Sequence, residues 1–497
     1  MANEYDVVVI GAGTGGYVAA IRAAQLGLRV AVVEKQKTLG GTCLIWGCIP
    51  TKALLEHAHA LKIAQSAKEW GLTGIDGSAV SIDMPSVHAR KDKMISGLTG
   101  GIEMLFKKNK IDWIKGTARL TGGLGVEVTL SDPSTLREPQ GRPEQGRGTT
   151  SSGQGGGKQA LTATKEIIVA TGSAPRSVPG IDVDRKKIIF SDEAIHLPSV
   201  PKSIAIMGSG AVGVEFASIF KSYGSEVTVI ELLPRLVPGE DEAVSAELER
   251  SFKKRGIKVM TGSKVTSAKA GAKGVDIEVQ GADQKIQKLS YDLLLVATGR
   301  GPVTEGLDAE KLGINMDRGY IVVDQLFKTN VPGISAIGDV ITLGGPHYQL
   351  AHVSSMEGIV LAERIAGHAV QPVNYDHVPR CTYTEPEIGS VGLTEAQARE
   401  QGHEVRVGIF PFRALARARM AGETDGFVKI VAEKKYDEIL GVHIIGPRAT
   451  ELVAEAVMAL RMEVTVEELV KTIHAHPTMS EAVGEAAHAA HGAAIHL

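Results

Sequence analysis

Cysteine is scarce: the 497 residues hold three, Cys43, Cys48 and Cys381. A framework of structural disulfides needs more, so the expected compartment is reducing and any disulfide functional. Strong charge of one sign is lacking too. Lys and Arg number 54 against 57 Asp and Glu, a formal net charge of −3, which gives no electrostatic case for nucleic acid or an anionic membrane as partner. No apolar run reaches the ~20 residues that span a bilayer. The start Met1-Ala2-Asn3-Glu4-Tyr5-Asp6 lacks the cationic and apolar regions of a signal peptide. A cytoplasmic protein is expected, with neither nucleic acid nor membrane as partner.

What is present is a pattern that occurs twice. The run Asp6-Val7-Val8-Val9-Ile10 leads into a glycine turn with Gly11, Gly13 and Gly16, then a helical pattern through Leu26, then Arg29-Val30-Ala31-Val32-Val33-Glu34. The second copy runs Ser203-Ile204-Ala205-Ile206-Met207, then Gly208, Gly210 and Gly213, a helix through Tyr223, and Glu226 to Glu231. In each copy the acid lies 18 residues beyond the last glycine. A lone glycine-rich turn is weak evidence, but strand, turn, helix, strand and acid together predict a dinucleotide site. The first glycine permits a tight turn, the second lets backbone N–H groups approach a pyrophosphate, and the third allows close helix–strand packing. Each acid is then expected at a ribose hydroxyl. Glu231 in that place repels the extra phosphate of NADP and favours NAD, unless Arg235 rescues the phosphate. The N-terminal copy, with no phosphate-selecting cation in view, fits FAD.

Between the two copies the segment Gly40-Gly41-Thr42-Cys43-Leu44-Ile45-Trp46-Gly47-Cys48-Ile49-Pro50-Thr51-Lys52 places two cysteines five residues apart. Such a pair can shuttle two electrons as dithiol and disulfide, and its reactive form is the thiolate, favoured by a helix N-terminus or a nearby cation. Pro50 suits the first turn of a helix aimed at the cysteines. A structural disulfide, or half of a zinc site completed by His57 and His59, is the alternative, although zinc lacks a second cysteine pair.

At this length several domains are expected. Strands and helices alternate to about Gly116, as a parallel sheet with covering helices requires. Residues 131–160 are rich in Gly, Ser, Thr, Gln, Arg and Pro and are expected to form a mobile surface insertion. Apolar strands ending in Thr171-Gly172 and in Thr298-Gly299-Arg300 close the first and second units, so the second is inserted into the first. Asp339 follows a third apolar strand, where it serves equally as a flavin ligand or as a helix N-cap. From about Val373 the character shifts to a separate α+β domain. Near the end, His474-Ala475-His476-Pro477-Thr478-Met479-Ser480-Glu481 pairs histidines with a carboxylate, a tunable acid–base near neutral pH.

These segments, five ordered motifs over nearly the whole chain, resemble the pyridine nucleotide–disulfide oxidoreductases of the dihydrolipoamide dehydrogenase branch. The resemblance implies an α/β fold of two Rossmann-like dinucleotide-binding domains plus a C-terminal dimerisation domain. Its parts would be an FAD-binding domain in two pieces (1–182 and 301–372), an inserted NAD-binding domain (183–300) and an interface domain (373–497). It implies Cys43 as the interchange thiol, Cys48 as the flavin-proximal thiol, and Lys52 paired with Glu215 beside the flavin. Asp339 would hold the flavin ribitol. His476, oriented by Glu481 and supported by His474, would act as acid–base across a homodimer interface. Further cofactor contacts are implied at Gly116, Thr171, Gly172, Gly299, Arg300 and Ala351. The implied reaction oxidises dihydrolipoyl groups of partner lipoyl domains, with FAD and NAD as cofactors. Ile45-Trp46 departs from the smaller or polar residues expected there, and Cys381 falls outside any redox spacing.

Overall fold

A computed structural model describes residues 3–131, 157–345 and 347–497. Strand Glu4–Ile10 lies at the centre of the first sheet, pairing in parallel with Val30–Glu34 on one side and Lys158–Val169 on the other. Its Val7-Val8-Val9-Ile10 segment is buried throughout, the continuous apolar run that a parallel strand covered on both faces requires. Asp112–Gly122 and Ile334–Ala336 extend the sheet in parallel at its two flanks. Helix Thr14–Gln25 covers it and packs against helix Ala351–Ile365. That helix contact is close: a Cβ on Gly358 would lie 2.7 Å from the Gly15 carbonyl oxygen.

The second unit repeats the plan. Its five strands run in parallel in the order Lys258–Met260, Glu226–Ile230, Ser203–Met207, Leu293–Val296, Ile188–Ile189. An antiparallel trio, Lys264–Gly271, Gly274–Gln280 and Ile286–Tyr291, is attached to it. The short pair Ser173–Pro175 and Arg300–Pro302 joins the strand leaving the first unit to the strand returning from the second. The C-terminal part is a five-stranded antiparallel sheet backed by helices Ala449–Arg461 and Glu481–Ala490. The α/β architecture with an inserted second unit and an α+β C-terminal domain is thus as expected.

Two expectations need correction. The strand through Gly116 continues to Gly122, and the chain then turns back antiparallel as Gly125–Leu130, so the first sheet is mixed. The expected insertion at 131–160 is also shorter at its ends. Ser131 donates its N–H to the Lys115 carbonyl, and Lys158, Gln159 and Ala160 already pair with Thr129, Val128 and Glu127. This outer part of the strand alternates exposed polar with buried residues, so its composition resembles a loop. The rest of the expected insertion, 132–156, lies outside the described residues.

Candidate active site

The two glycine turns are nearly superimposable in their constraints. Gly11 and Gly208 have φ of 99° and 101°, and a Cβ on either would lie 2.4 Å from the carbonyl oxygen of Ala170 or Ala297. A Cβ on Gly16 or Gly213 would lie 2.0 Å from the carbonyl oxygen of Gly11 or Gly208, so helix and turn touch through glycine alone. Gly13 and Gly210 differ: nothing lies within 4 Å of their Cβ positions. Each stands directly before its helix, where unpartnered N–H groups favour an anion. This pair of open cradles at helix N-termini fits two pyrophosphates.

The acids do more than the spacing suggests. Glu34 Oε2 accepts from the Ala12 N–H at 2.8 Å and Oε1 from the Gln36 N–H at 2.9 Å. Glu231 Oε2 accepts from the Ser209 N–H at 2.7 Å and from its hydroxyl at 2.8 Å, and Oε1 accepts from the Leu233 N–H at 2.8 Å. Both carboxylates therefore tie the glycine turn to the end of the second strand. Burial pushes the Glu34 carboxyl up against these bonds. Arg235 is engaged by the Pro238 carbonyl at 2.8 Å and by Glu242 at 3.3 Å.

Cys43 lies on a single π-helical turn, Thr42–Trp46, and Cys48 opens helix Cys48–Gln65. The structure holds them as two half-buried free thiols. A Cys43 thiol hydrogen-bonded to a Cys48 thiolate is the protonation state the pair favours, which drives the two titrations apart. That bond, burial and the Cys48 charge push Cys43 well above its ordinary value, while the same bond and the Lys52 cation hold Cys48 down at about 7. Pro50 sits in the first turn of the helix, as expected. Lys52 Nζ reaches both carboxylate oxygens of Glu215 at 2.7 Å. Glu215 is 3% exposed and also accepts the Tyr383 N–H at 2.9 Å, and Lys52 stands over the Tyr383 ring at 4.7 Å. Elements of all three domains thus converge beside the thiols. Tyr383 was not foreseen, because nothing local in Thr382-Tyr383-Thr384 marks it.

Asp339 settles one alternative. The N-cap of helix Ala351–Ile365 is Leu350, while Asp339 sits in a short 3₁₀ turn with its carboxylate accepting from the Ser173 hydroxyl at 2.6 Å. It is not a cap for that helix. Burial raises its carboxyl, opposed by Ser173 and the nearby Arg300. Arg300 donates to the Ser173 hydroxyl at 2.8 Å and to its carbonyl at 2.7 Å, and the Thr171 hydroxyl donates to the Val303 carbonyl at 2.6 Å. Gly172 and Gly299 have φ of 71° and 126° at this crossing between units, and Ala351 is the first residue of its helix. Gly116 is a packing glycine: a Cβ there would lie 2.5 Å from the Thr129 carbonyl oxygen.

His476 Nδ1 lies 2.8 Å from Glu481 Oε1, and the other oxygen of Glu481 accepts the Thr478 N–H at 2.8 Å. The His476 side chain is 73% exposed and is not among the groups acting most strongly on either thiol. His474 is held by Glu455 at 2.9 Å, which raises its pKa. Among the described residues no cluster of three or more His, Cys, Asp or Glu is disposed to hold a metal, and His57 Nδ1 lies 2.7 Å from the Ala53 carbonyl. Cys381 lies in strand Arg380–Thr382, with burial pushing its thiol up to about 11. No helix among the described residues is long and apolar enough to cross a membrane.

Residues 5–358 match the family described as pyridine nucleotide-disulphide oxidoreductase, and residues 378–487 match that family's dimerisation domain. The chain belongs to this family. It is 45% identical over 498 residues, the full length of both chains, to a dihydrolipoyl dehydrogenase of Bacillus subtilis. It is 44% identical to one of Rhizobium etli, covering 99% of each chain. Among solved structures, LpdA of Mycobacterium tuberculosis superposes with a TM-score of 0.84 at 26% identity, covering 97% of this chain and 99% of the other. RclA of Escherichia coli, an HOCl-induced flavoprotein disulfide reductase, superposes at 0.80 and 26% identity, covering 96% and 98%. The family's cofactors are FAD and NAD(H), which fit the two open cradles.

Proposed function

We propose that this protein oxidises protein-bound dihydrolipoamide to lipoamide with NAD+ as final acceptor, as the shared component of a 2-oxo acid dehydrogenase or glycine cleavage complex in the cytoplasm. The observation that carries the reading is the Cys43–Cys48 pair, two free thiols, one on the π-helical turn and one at the start of the next helix, beside the Lys52–Glu215 ion pair. In this reading residues 1–182 and 301–372 bind FAD, 183–300 bind NAD and 373–497 form the interface of a homodimer. Glu34 and Asp339 would hold the ribose and ribitol of FAD, with Gly116, Thr171, Gly172, Arg300 and Ala351 around it. Glu231 and Gly299 would contact NAD. FAD, when bound, supplies the two-electron relay between the cysteines and the nicotinamide.

The protein's own steps are thiol–disulfide exchanges. A substrate thiolate attacks Cys43 of the disulfide, forming a mixed disulfide and releasing Cys48 as a thiolate. The second substrate thiolate attacks the substrate sulfur of that mixed disulfide, closing the lipoyl ring and releasing Cys43. Cys48 leaves well because its thiolate is already stable near pH 7, next to Lys52. Cys43 leaves poorly unless a proton is delivered to it, since its thiol is pushed up. His476, held by Glu481, is the acid–base for this step. Being exposed in its own chain, it would serve the thiols of the other subunit.

Subunit mixing tests this. General acid–base catalysis contributes ~10²–10⁴-fold, so His476→Gln should lower turnover by about that factor, and Cys43→Ser should abolish it. A heterodimer of the two variants carries one site with both defects and one with neither, so mixing them should restore part of the activity. No recovery despite demonstrated subunit exchange would refute the shared site.

A further inference from the structure

One cluster beside the redox pair has no part in these steps. Lys91, on helix Met84–Lys108, is fully buried. Its ammonium donates to the Ile195 carbonyl at 2.9 Å and to His196 Nδ1 at 3.3 Å, with Asp92 at 3.4 Å. Since Nδ1 accepts from a cation, the His196 proton sits on Nε2. Burial and then Lys91 hold the ring neutral, with its pKa down at about 4. That Nε2 is buried without a hydrogen-bond partner. What the ring does have is Trp46: the two centroids lie 6.3 Å apart with planes at 78°, an attractive edge-to-face arrangement. The His88 ring lies 6.4 Å from the same ring, anchored by the Leu197 carbonyl at 2.8 Å.

Trp46 is the last residue of the π turn that carries Cys43, and two residues later the chain reaches Cys48. Leu44 and Ile45 fasten the middle of this turn to the first core. Trp46 packs on the edge of the same core and also meets His196, which follows strand Ile188–Ile189 of the second nucleotide unit. We propose that His196 is a positioning residue for the redox pair, acting through Trp46 on the turn that joins Cys43 to Cys48. The inference rests on reading those cysteines as the redox pair.

The consequence is a shift in redox poise. Closing the disulfide brings the sulfurs to about 2.05 Å, so its formation depends on how closely the turn holds them. Loosening the turn lowers the effective concentration of one thiol at the other and makes the disulfide easier to reduce. A tenfold change in that equilibrium is about 30 mV.

The test equilibrates the holoenzyme anaerobically in graded dithiothreitol buffers, traps free thiols with an alkylating agent under acid quench, and counts them on the Cys43–Cys48 peptide by mass spectrometry. His196→Ala and Trp46→Ala should each favour the dithiol by about tenfold. The double variant should shift no further than either single one, because the two residues act through one contact. Trp46→Phe and His196→Phe, which keep a ring at the contact, should stay within about twofold of the parent. If His196→Ala does not fold, Trp46→Ala against Trp46→Phe makes the same comparison. Unshifted Ala variants, fully additive shifts in the double variant, or Phe variants shifted as far as Ala would overturn the proposal. A parent enzyme that never forms the Cys43–Cys48 disulfide would overturn the redox-pair reading itself.

Discussion

Gly210→Ala and Gly213→Ala are three residues apart and should fail in opposite ways. At Gly210 φ is −65° and ψ is 177°, a conformation alanine adopts freely, and the added Cβ meets nothing within 4 Å. The folded protein bears no steric cost, and the narrower unfolded ensemble should stabilise it by about 0.4–1 kcal/mol. The methyl would, however, enter the open cradle that the reading gives to the nucleotide pyrophosphate. Overpacking of that kind costs about 1–3 kcal/mol, which is about a 5- to 150-fold rise in KM for NAD+ at a tenfold per 1.4 kcal/mol. At Gly213 the Cβ would lie 2.0 Å from the Gly208 carbonyl oxygen, and both atoms belong to backbone that cannot rotate away. The helix must shift off the strand, so thermal stability should fall by several degrees as NAD binding is lost. The assay is a thermal unfolding curve beside steady-state kinetics with varied NAD+. A Gly210→Ala enzyme with unchanged KM would show that the open cradle is not the pyrophosphate seat.

Alkylation of Cys48 in the dithiol enzyme should have its midpoint near pH 7, with the thiolate present above it; Lys52→Met should move the midpoint upward, and an unmoved midpoint would remove Lys52 from the site's electrostatics. NAD+ should be strongly preferred to NADP+ in kcat/KM because Glu231 stands at the end of the second strand; comparable values would mean that this carboxylate is not at the ribose. Glu455→Gln should destabilise the protein mainly on the acid side. The His474 pKa is raised in the folded state, chiefly by the Glu455 hydrogen bond, so its contribution is full below the unfolded value near 6.5 and fades as pH rises through the folded one. Equal losses of melting temperature at pH 5.5 and pH 8.5 would refute that coupling.

Both dinucleotide units were legible in the sequence because their determinants are local: a strand, a turn and a helix within some thirty residues, with glycines where backbones touch. Asp339 was ambiguous for a local reason as well, since Asp before a helical stretch suits a cap as readily as a ligand. Only the position of Leu350 at the helix start rules out the cap. The Lys158–Val169 strand was partly hidden because its outer half alternates polar with buried residues and adjoins a Gly- and Ser-rich stretch. The Lys91 cluster was invisible for a different reason. A lysine ordinarily marks a solvated face, and its partner His196 is 105 residues away. One signal was available: Val87, Lys91, Thr99, Ile102 and Phe106 are the buried stripe of one helix, and a cation at that spacing belongs to the interior.

The contrast between the two thiols would make the proposed shared site an economical arrangement. Within one chain, Cys48 has what it needs to be a thiolate: a helix N-terminus, the Cys43 donor and Lys52. Lys52 also acts on Cys43, but the hydrogen bond to Cys48, burial and the Cys48 charge outweigh it and work against its ionisation. A base placed permanently beside Cys43 in the same chain would compete for that proton and weaken the bond that stabilises Cys48. Supplying His476 across an interface, as proposed, would separate the two demands, because Lys52 and Glu215 already stand beside Cys48 within its own chain. In that reading the order of bond breaking would follow from the environments: Cys48, the better leaving group, would be released first, and Cys43 would depart only with an external proton donor in place.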